Sequence, residues 1–394
     1  MTLIFSISRI HAAPLESIEE TGSSHKSLDL AINGIGVSFG NSPRFTGLRF
    51  NLVDSGVEEI NGINVTLWKP EENSDAVIRG IAVGLLAPQA AVLSGVSVGG
   101  LAVVAGSSLS GIAAGGLAVV SEGELSGITV GGLATVAEGA LNGISIGGLA
   151  SVTEGSMNGI SIGGLAVVVE GSASGIMVGG LASVVERDFS GICVSGLANV
   201  NEGNMSGISI AGLATVSTES FSGLSVSGLV GIAAENLSGI AVAGGSVMAD
   251  GDISGISIGV IGTFLNRESL DEEDGTRLRF SYTGTRAQNA EWITLHGIDI
   301  GVEERLGGLG AAGISVRADE IVGLALAGAL VKARTLTGFS AGAVNYFDGY
   351  QAGLSIGLVN FASELNGIQL GIINIAENNS SPFRVLPIVN AHFK

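Results

Sequence analysis

Residues 127–142 read GITVGGLATVAEGALN, and residues 143–158 repeat the pattern as GISIGGLASVTEGSMN. Counting the first glycine as position 1, the unit is Gly-Ile-x-Val/Ile-Gly-Gly-Leu-Ala-x-Val-x-Glu-Gly-x-Leu-Ser/Asn. A fixed period of this kind is the signature of a repeat architecture. The position 1 glycine recurs every 16 residues without a slip, at Gly95, Gly111, Gly127, Gly143, Gly159, Gly175, Gly191, Gly207, Gly223, Gly239 and Gly255.

The character of each position predicts β-strands. Positions 2 and 4 carry branched aliphatics, position 8 carries Ala and position 10 carries Val, so similar residues recur at the strand period of two. A helix is disfavoured, because each glycine in a helix interior costs about 1 kcal/mol relative to alanine. We expect the conserved aliphatics of successive units to stack inside the protein. The variable positions 3, 9 and 11 suit a looser or exposed face.

Composition narrows the functional classes. The chain has 64 glycines among 394 residues, 13% charged residues and a net charge of −19. An acidic surface repels phosphate backbones and anionic lipid, which disfavours nucleic acid and anionic membranes as partners. Cys193 is the only cysteine, so the chain has no internal disulfide and no cysteine-based metal site.

Two all-β architectures fit the unit. In a β-solenoid each unit is one 16-residue coil with glycines at the corners, and irregular caps close the ends. In an outer-membrane-type antiparallel β-barrel each unit is one spanning strand plus a turn. Membrane barrels carry Trp and Tyr girdles, but residues 91–264 contain neither residue. We therefore favour the solenoid and keep the barrel as the alternative.

The composition also divides the chain into segments. Residues 1–29 are predicted to be a signal remnant and a disordered N-terminus, with apolar Leu3 to Ile7 and cleavage after Ala12. Residues 30–79 are predicted to be an N-terminal β cap. The regular array covers 80–264. Its uncharged stretch between Arg79 and Glu122 has the hydropathy of a membrane-spanning helix. The 16-residue register nevertheless continues unchanged through the charged units that follow, so we interpret the stretch as part of the repeat array. Residues 265–296 form a predicted polar insertion, and 297–394 hold degenerate repeats and a C-terminal cap.

Few residues of the sequence are candidates for a catalytic or binding site. Stacked coils would align the position 12 glutamates as a ladder. The preferred interpretation is a solvated edge of the protein, and the alternative is weak bridging of neighbouring carboxylates by divalent cations. The Ser or Asn at position 16 suits a hydrogen-bonded corner, and the acidic cluster 271–274 a solvated loop. No nucleophile–base pair stands out, so we predict neither enzymatic activity nor a cofactor. The ladder residues are Glu122, Glu138, Glu154, Glu170, Glu186 and Glu202.

Four segments resemble the bacterial, leptospiral-type surface-repeat family. They are Gly131–Val136, Ser195–Val200, Gly47–Leu52 and Gly367–Asn374, and the resemblance covers most of residues 40–394. It implies a location at the cell surface, in the outer membrane or secreted, and it implies no biochemical activity. The sequence thus predicts an exported, adhesion-like rod with an unidentified protein or envelope partner. The rival prediction is an outer-membrane barrel.

Overall fold

The computed structural model describes residues 27–32, 35–68, 70–71, 73–260, 264–266, 279–281 and 285–393. The described residues form strands and turns, without a helix. The first strands are β1 (Ser27–Ile32), β2 (Ile35–Gly40), β3 (Arg44–Asn51), β4 (Glu59–Thr66), β5 (Val77–Gly84), β6 (Gln89–Gly99) and β7 (Ala102–Gly115). The regular coils hold β8 (Ala118–Ser121), β9 (Glu124–Gly131), β10 (Ala134–Ala137), β11 (Leu141–Gly147), β12 (Ala150–Thr153), β13 (Met157–Gly163), β14 (Ala166–Val169), β15 (Ala173–Gly179), β16 (Ala182–Val185), β17 (Phe189–Ser195), β18 (Ala198–Asn201), β19 (Met205–Ala211), β20 (Ala214–Ser217), β21 (Phe221–Ser227), β22 (Val230–Ala233), β23 (Leu237–Ala243), β24 (Ser246–Ala249) and β25 (Ile253–Gly259). The remaining strands are β26 (Phe264–Asn266), β27 (Arg279–Ser281), β28 (Thr285–His296), β29 (Asp299–Ala312), β30 (Ser315–Arg317), β31 (Glu320–Ala327), β32 (Leu330–Ala333), β33 (Thr335–Ala341), β34 (Val344–Ile356), β35 (Val359–Ala376) and β36 (Val385–His392).

Consecutive repeats stack in parallel. Strand β11 pairs with β9 before it and β13 after it, and each residue faces its counterpart 16 positions away, as Ile144 faces Ile128 and Ile160. The chain forms a β-solenoid of about 19 turns of roughly 16 residues, which confirms the preferred architecture. The antiparallel barrel is wrong, because its strands would alternate in direction from one repeat to the next. At about 4.8 Å per coil the rod is roughly 90 Å long.

Each regular coil has three sides. We call positions 2–5 the first side, positions 8–11 the second side and positions 14–16 the third side. Turns at positions 6–7 and 12–13 form two of the corners, and the glycine at position 1 forms the third. Gly159 has φ of 134°, and a Cβ there would lie 2.1 Å from the carbonyl oxygen of Gly143 in the coil before. Glycine is thus required both by its left-handed conformation and by the close approach of two backbones.

The prediction of which residues face inward is wrong. Positions 3, 5, 9, 11 and 15 are buried, whereas the aliphatics at positions 2 and 4 and the position 7 leucine point outward. For example, Ala113 is 0% exposed and its neighbour Ile112 is 51% exposed. The reason is space: a Cβ at Gly131, position 5, would lie 1.9 Å from the carbonyl oxygen of Ala134. The first and second sides converge so closely that only small inward residues fit at the corner between them.

The interior is partly polar, and many of its hydroxyls form hydrogen bonds with one another. The side chains of Thr135 and Ser145 lie 2.6 Å apart, those of Ser145 and Ser151 lie 2.8 Å apart, and Ser161 donates to Ser151 at 2.9 Å. Buried polar groups are tolerated when they are hydrogen-bonded. The larger apolar volume of the core comes from position 15, where Leu141 and similar side chains are buried.

Antiparallel strands flank the stack. Strand β1 pairs antiparallel with β2, and β36 pairs antiparallel with β35. Parallel coil pairing already begins with β2 and β3, inside the segment predicted as an N-terminal cap. Residues 285–296, assigned to the insertion by sequence, form β28 and pair in parallel with β25. The short antiparallel pair β26–β27 lies between β25 and β28.

Candidate functional site: the outward apolar side and the acidic edge

The first side presents an unbroken apolar surface. From Val96 to Ile256 position 2 is Ile, Val or Leu, and from Val98 to Ile258 position 4 is Ile, Val or Ala. The position 7 leucines, such as Leu133 at 45% exposure, extend the surface around the corner. No charged residue occurs at these positions in eleven coils. Exposed apolar patches of more than a few hundred Å² mark interaction sites in soluble proteins.

The predicted glutamate ladder lies on a different edge. All six side chains are exposed at the turn between the second and third sides. The backbone N–H of Glu138 donates to Ser121 at 2.9 Å, that of Glu154 to Ala137 at 2.9 Å, and the others repeat this bond. The structure therefore stacks the glutamates as the sequence predicts. In the described part of the chain no three His, Cys, Asp or Glu side chains come together as a metal site. The solvated edge and the weak cation ladder both stay predictions.

The other sequence candidates are dispersed. Position 16 residues lie on the third side, where Ser174 donates to Asn158 at 3.2 Å, in keeping with a corner ladder. Cys193 is buried in the interior row at position 3, and burial raises the pKa of its thiol to about 12. The acidic cluster 271–274 lies outside the described residues.

Sequence reasoning missed a buried ion pair in the first coils. Arg49 is fully buried and donates to Asp54 at 2.5 Å, to Asn64 at 2.7 Å and to Asn41 at 2.8 Å. Asp54 also accepts from Asn64 at 2.9 Å. These bonds connect strands β3 and β4 with the turn between them, while Arg49 Nε has no hydrogen-bond partner among the described residues. The sequence shows only a single Arg in a strand, and it cannot be recognised as inward-facing until the inward positions of the coil are known.

Sequence reasoning also missed the strain at Trp292. This residue occupies position 1, pairs with Gly255 and has φ of 88°. A bulky residue in this conformation is a genuine outlier. In the same coil His296 takes position 5. Its Nδ1 accepts from the N–H of Ile298 at 3.0 Å, and its Nε2 lies 3.3 Å from the carbonyl oxygen of Gly245. Burial lowers the pKa of His296 below its ordinary value.

Comparison with family models, with characterised proteins and with solved structures gives no significant match. The resemblance to leptospiral-type surface-repeat proteins therefore stays a prediction. Among the described residues there is no helix long and apolar enough to cross a membrane. The outward apolar side repeats without a charge over eleven coils, and it is the principal candidate for function.

Proposed function

We propose that the chain is a non-enzymatic structural rod that associates with a second copy of itself through the first side. The observation that carries this proposal is the uncharged row of outward Ile and Val residues over eleven coils. Leaving such a surface in water costs about 25 cal/mol per Å² of apolar area. A partner that covers it recovers part of that free energy.

The size of the surface suits a dimer. Ten coil spacings make the first side about 50 Å long, and its four strand residues make it about 13 Å wide. Two copies would then bury about 1,300 Å² in total, which lies within the roughly 1,200–2,000 Å² typical of stable interfaces.

A second copy also matches the surface in pattern and charge. Its rows have the same coil spacing, so Ile and Val side chains of two copies can interdigitate along the whole length. A two-fold axis makes the same patch serve both partners. The glutamate edge lies beyond the second side, so the acidic rows need not face each other when two first sides meet.

The test is the solution mass of the full chain, measured by light scattering after size-exclusion chromatography. We expect a dimer. The variant Ile160→Lys/Ile192→Lys should be monomeric, because it places charges in the middle of the interface. The matched control Asn158→Lys/Ser190→Lys places the same charges on the exposed third side and should remain dimeric.

Two results contradict the proposal. One is a wild-type chain that stays monomeric at tens of micromolar. The other is a monomer that sediments with phosphatidylcholine vesicles, since lipid would then be the occupant of the first side. The exported, cell-surface or outer-membrane location and the adhesion-like role stay predictions of the sequence, to be checked by cell fractionation.

A further inference from the structure

The outward row at position 10 changes character in the C-terminal coils. In the regular array it is valine from Val104 to Val216. In the later coils each member of the row is the direct register partner of the next. We call these residues the cationic–aromatic row: Arg286, Gly301, Arg317, Lys332, Tyr346 and Phe361. Neighbouring members are spaced by one coil, about 4.8 Å.

The row borders a groove on the second side. Gly301 has no side chain, so a gap opens between Arg286 and Arg317. The groove has a volume of about 530 Å³. Small residues, among them Ala318 and Ala333, contribute to its lining. Its other wall is formed by position 12, with Glu303, Asp319, Arg334 and Asp348.

The four cations of the groove differ in their partners. Arg286 lies 2.8 Å from Glu303, and Arg334 makes a bidentate pair with Asp319 at 2.9 and 2.7 Å. Arg317 and Lys332 have no carboxylate within 4.0 Å in the described ranges. They are nevertheless direct register neighbours. Like charges opposite each other in a sheet repel, and an anion bound between them would remove that repulsion.

Arg317 is held in position for such an anion. Its Nε donates to Ser315 Oγ at 3.2 Å, and the Ser315 hydroxyl donates to Asp299 at 2.6 Å. This chain of bonds orients the guanidinium while leaving its two terminal amino groups without a hydrogen bond to the described residues. A guanidinium fork matches a carboxylate in geometry.

The row continues into a pair of stacked aromatic rings. Lys332 Nζ lies 5.7 Å from the ring centre of Tyr346. The rings of Tyr346 and Phe361 stack with centres 4.8 Å apart and planes 11° apart. Cations and flat rings therefore follow one line parallel to the rod axis.

We propose that this groove binds an acidic polysaccharide, a chain of sugar rings that carry carboxylates, extended along the rod. One coil spacing is close to the length of one pyranose unit, so successive rings can meet successive coils. Arg317 and Lys332 bind the carboxylate, the outer edges of the stacked Tyr346 and Phe361 rings contact the sugars, and Asp348 accepts hydrogen bonds from sugar hydroxyls. A polyphosphate is a poorer fit, because the acidic wall and the net charge of −19 oppose its denser charge.

This site goes beyond self-association and lies on a different side of the rod, so the two proposals can fail independently. The test is calorimetric titration of the full chain with oligogalacturonate at low salt. Its methyl ester serves as the matched ligand control, because it keeps the rings and removes the charge. We expect the ester to bind at least about tenfold more weakly, as the loss of a charged hydrogen-bonded pair implies.

The variants Arg317→Gln and Lys332→Gln should each weaken binding by about tenfold. Tyr346→Ala should weaken it by about fivefold, since it removes an apolar contact and the ring that lies beside Lys332. The control Arg305→Gln makes the same charge change at position 14, away from the groove, and should bind as the wild type does. Four results would overturn the proposal. They are equal binding of the ester, equal loss in Arg305→Gln and Arg317→Gln, tighter binding of a single-stranded DNA oligomer, and failure of oligogalacturonate to bind below millimolar concentration.

Discussion

Replacing Gly159 by alanine tests whether the position 1 glycines determine the stability of the solenoid. An L-residue held at φ of 134° costs about 1–3 kcal/mol in backbone strain. The new Cβ would also lie 2.1 Å from the carbonyl oxygen of Gly143 and 2.9 Å from its carbonyl carbon. Both atoms belong to the backbone of the neighbouring coil, so relief requires the two coils to separate. Loss of even one interstrand hydrogen bond adds about 1 kcal/mol. We expect the free energy of unfolding to fall by about 3 kcal/mol.

Gly231→Ala is the matched control. Gly231 is a buried interior glycine at position 9, but its added Cβ would meet only Ser225 Oγ, at an ordinary 3.7 Å. Other coils carry larger residues at this position, such as Val167 and Thr215. The substitution should stabilise the protein by about 0.5–1 kcal/mol, because alanine restricts the unfolded chain.

The assay is urea unfolding followed by far-ultraviolet circular dichroism. The curves should be fitted with a nearest-neighbour model, because stacked repeats unfold as coupled units rather than in one step. If Gly159→Ala and Gly231→Ala unfold at the same urea concentration, glycine is not required at position 1. The explanation by left-handed backbone and close approach of neighbouring coils would then be wrong.

Three further predictions concern single residues. Trp292→Gly should raise the free energy of unfolding by about 1 kcal/mol, because glycine removes the left-handed strain at φ 88°; a loss of stability in urea unfolding would show that the exposed ring contributes more than the strain costs. The lowered pKa of His296 means that the unfolded state takes up the proton first, so stability should decline as pH falls below the ordinary histidine pKa of about 6.5. His296→Ser should reduce that decline between about pH 7.5 and 5.5, and an unchanged pH dependence would assign it to other groups. Cys193, with a thiol pKa raised to about 12 by burial, should react with a thiol reagent such as dithionitrobenzoate only after unfolding in urea; rapid reaction of the native protein would contradict its burial.

The stacking of the coils could be predicted from the sequence because glycine at a fixed spacing leaves few alternatives. The inward and outward faces were harder. A preference for burying Ile and Val suggests that positions 2 and 4 face inward, and this is wrong. One signal pointed the other way: position 15, with Leu141 or Phe189, is in the same strand phase as the small residues at positions 3, 9 and 11. The glycine at position 5 shares that phase, and only a narrow interior requires glycine there.

The groove could not be predicted, because it depends on register beyond the irregular segment. Gly255 and Trp292 are register partners although 37 positions separate them, and no glycine marks Trp292 as position 1. Without that alignment Arg317, Lys332 and Tyr346 are ordinary residues at irregular spacing. Once the strands are paired, they form one row on the same side as the valines of the regular array.

The contrast between the two sets of rows bears on the function. Inside, position 3 accepts Ser161, Met177 and Cys193 in successive coils, so the interior tolerates different volumes and polarities. Outside, position 2 remains Ile, Val or Leu in all eleven coils. If Ile, Val and Leu were present only to pack the interior, the residue type would vary least at the buried positions. In this chain the residue type varies least at an outward position. A uniform apolar surface contributes favourable free energy only when a partner covers it and removes it from water. The second side loses that uniformity where Arg317, Lys332 and Tyr346 replace valine, which is where a polar ligand rather than another rod has the complementary chemistry.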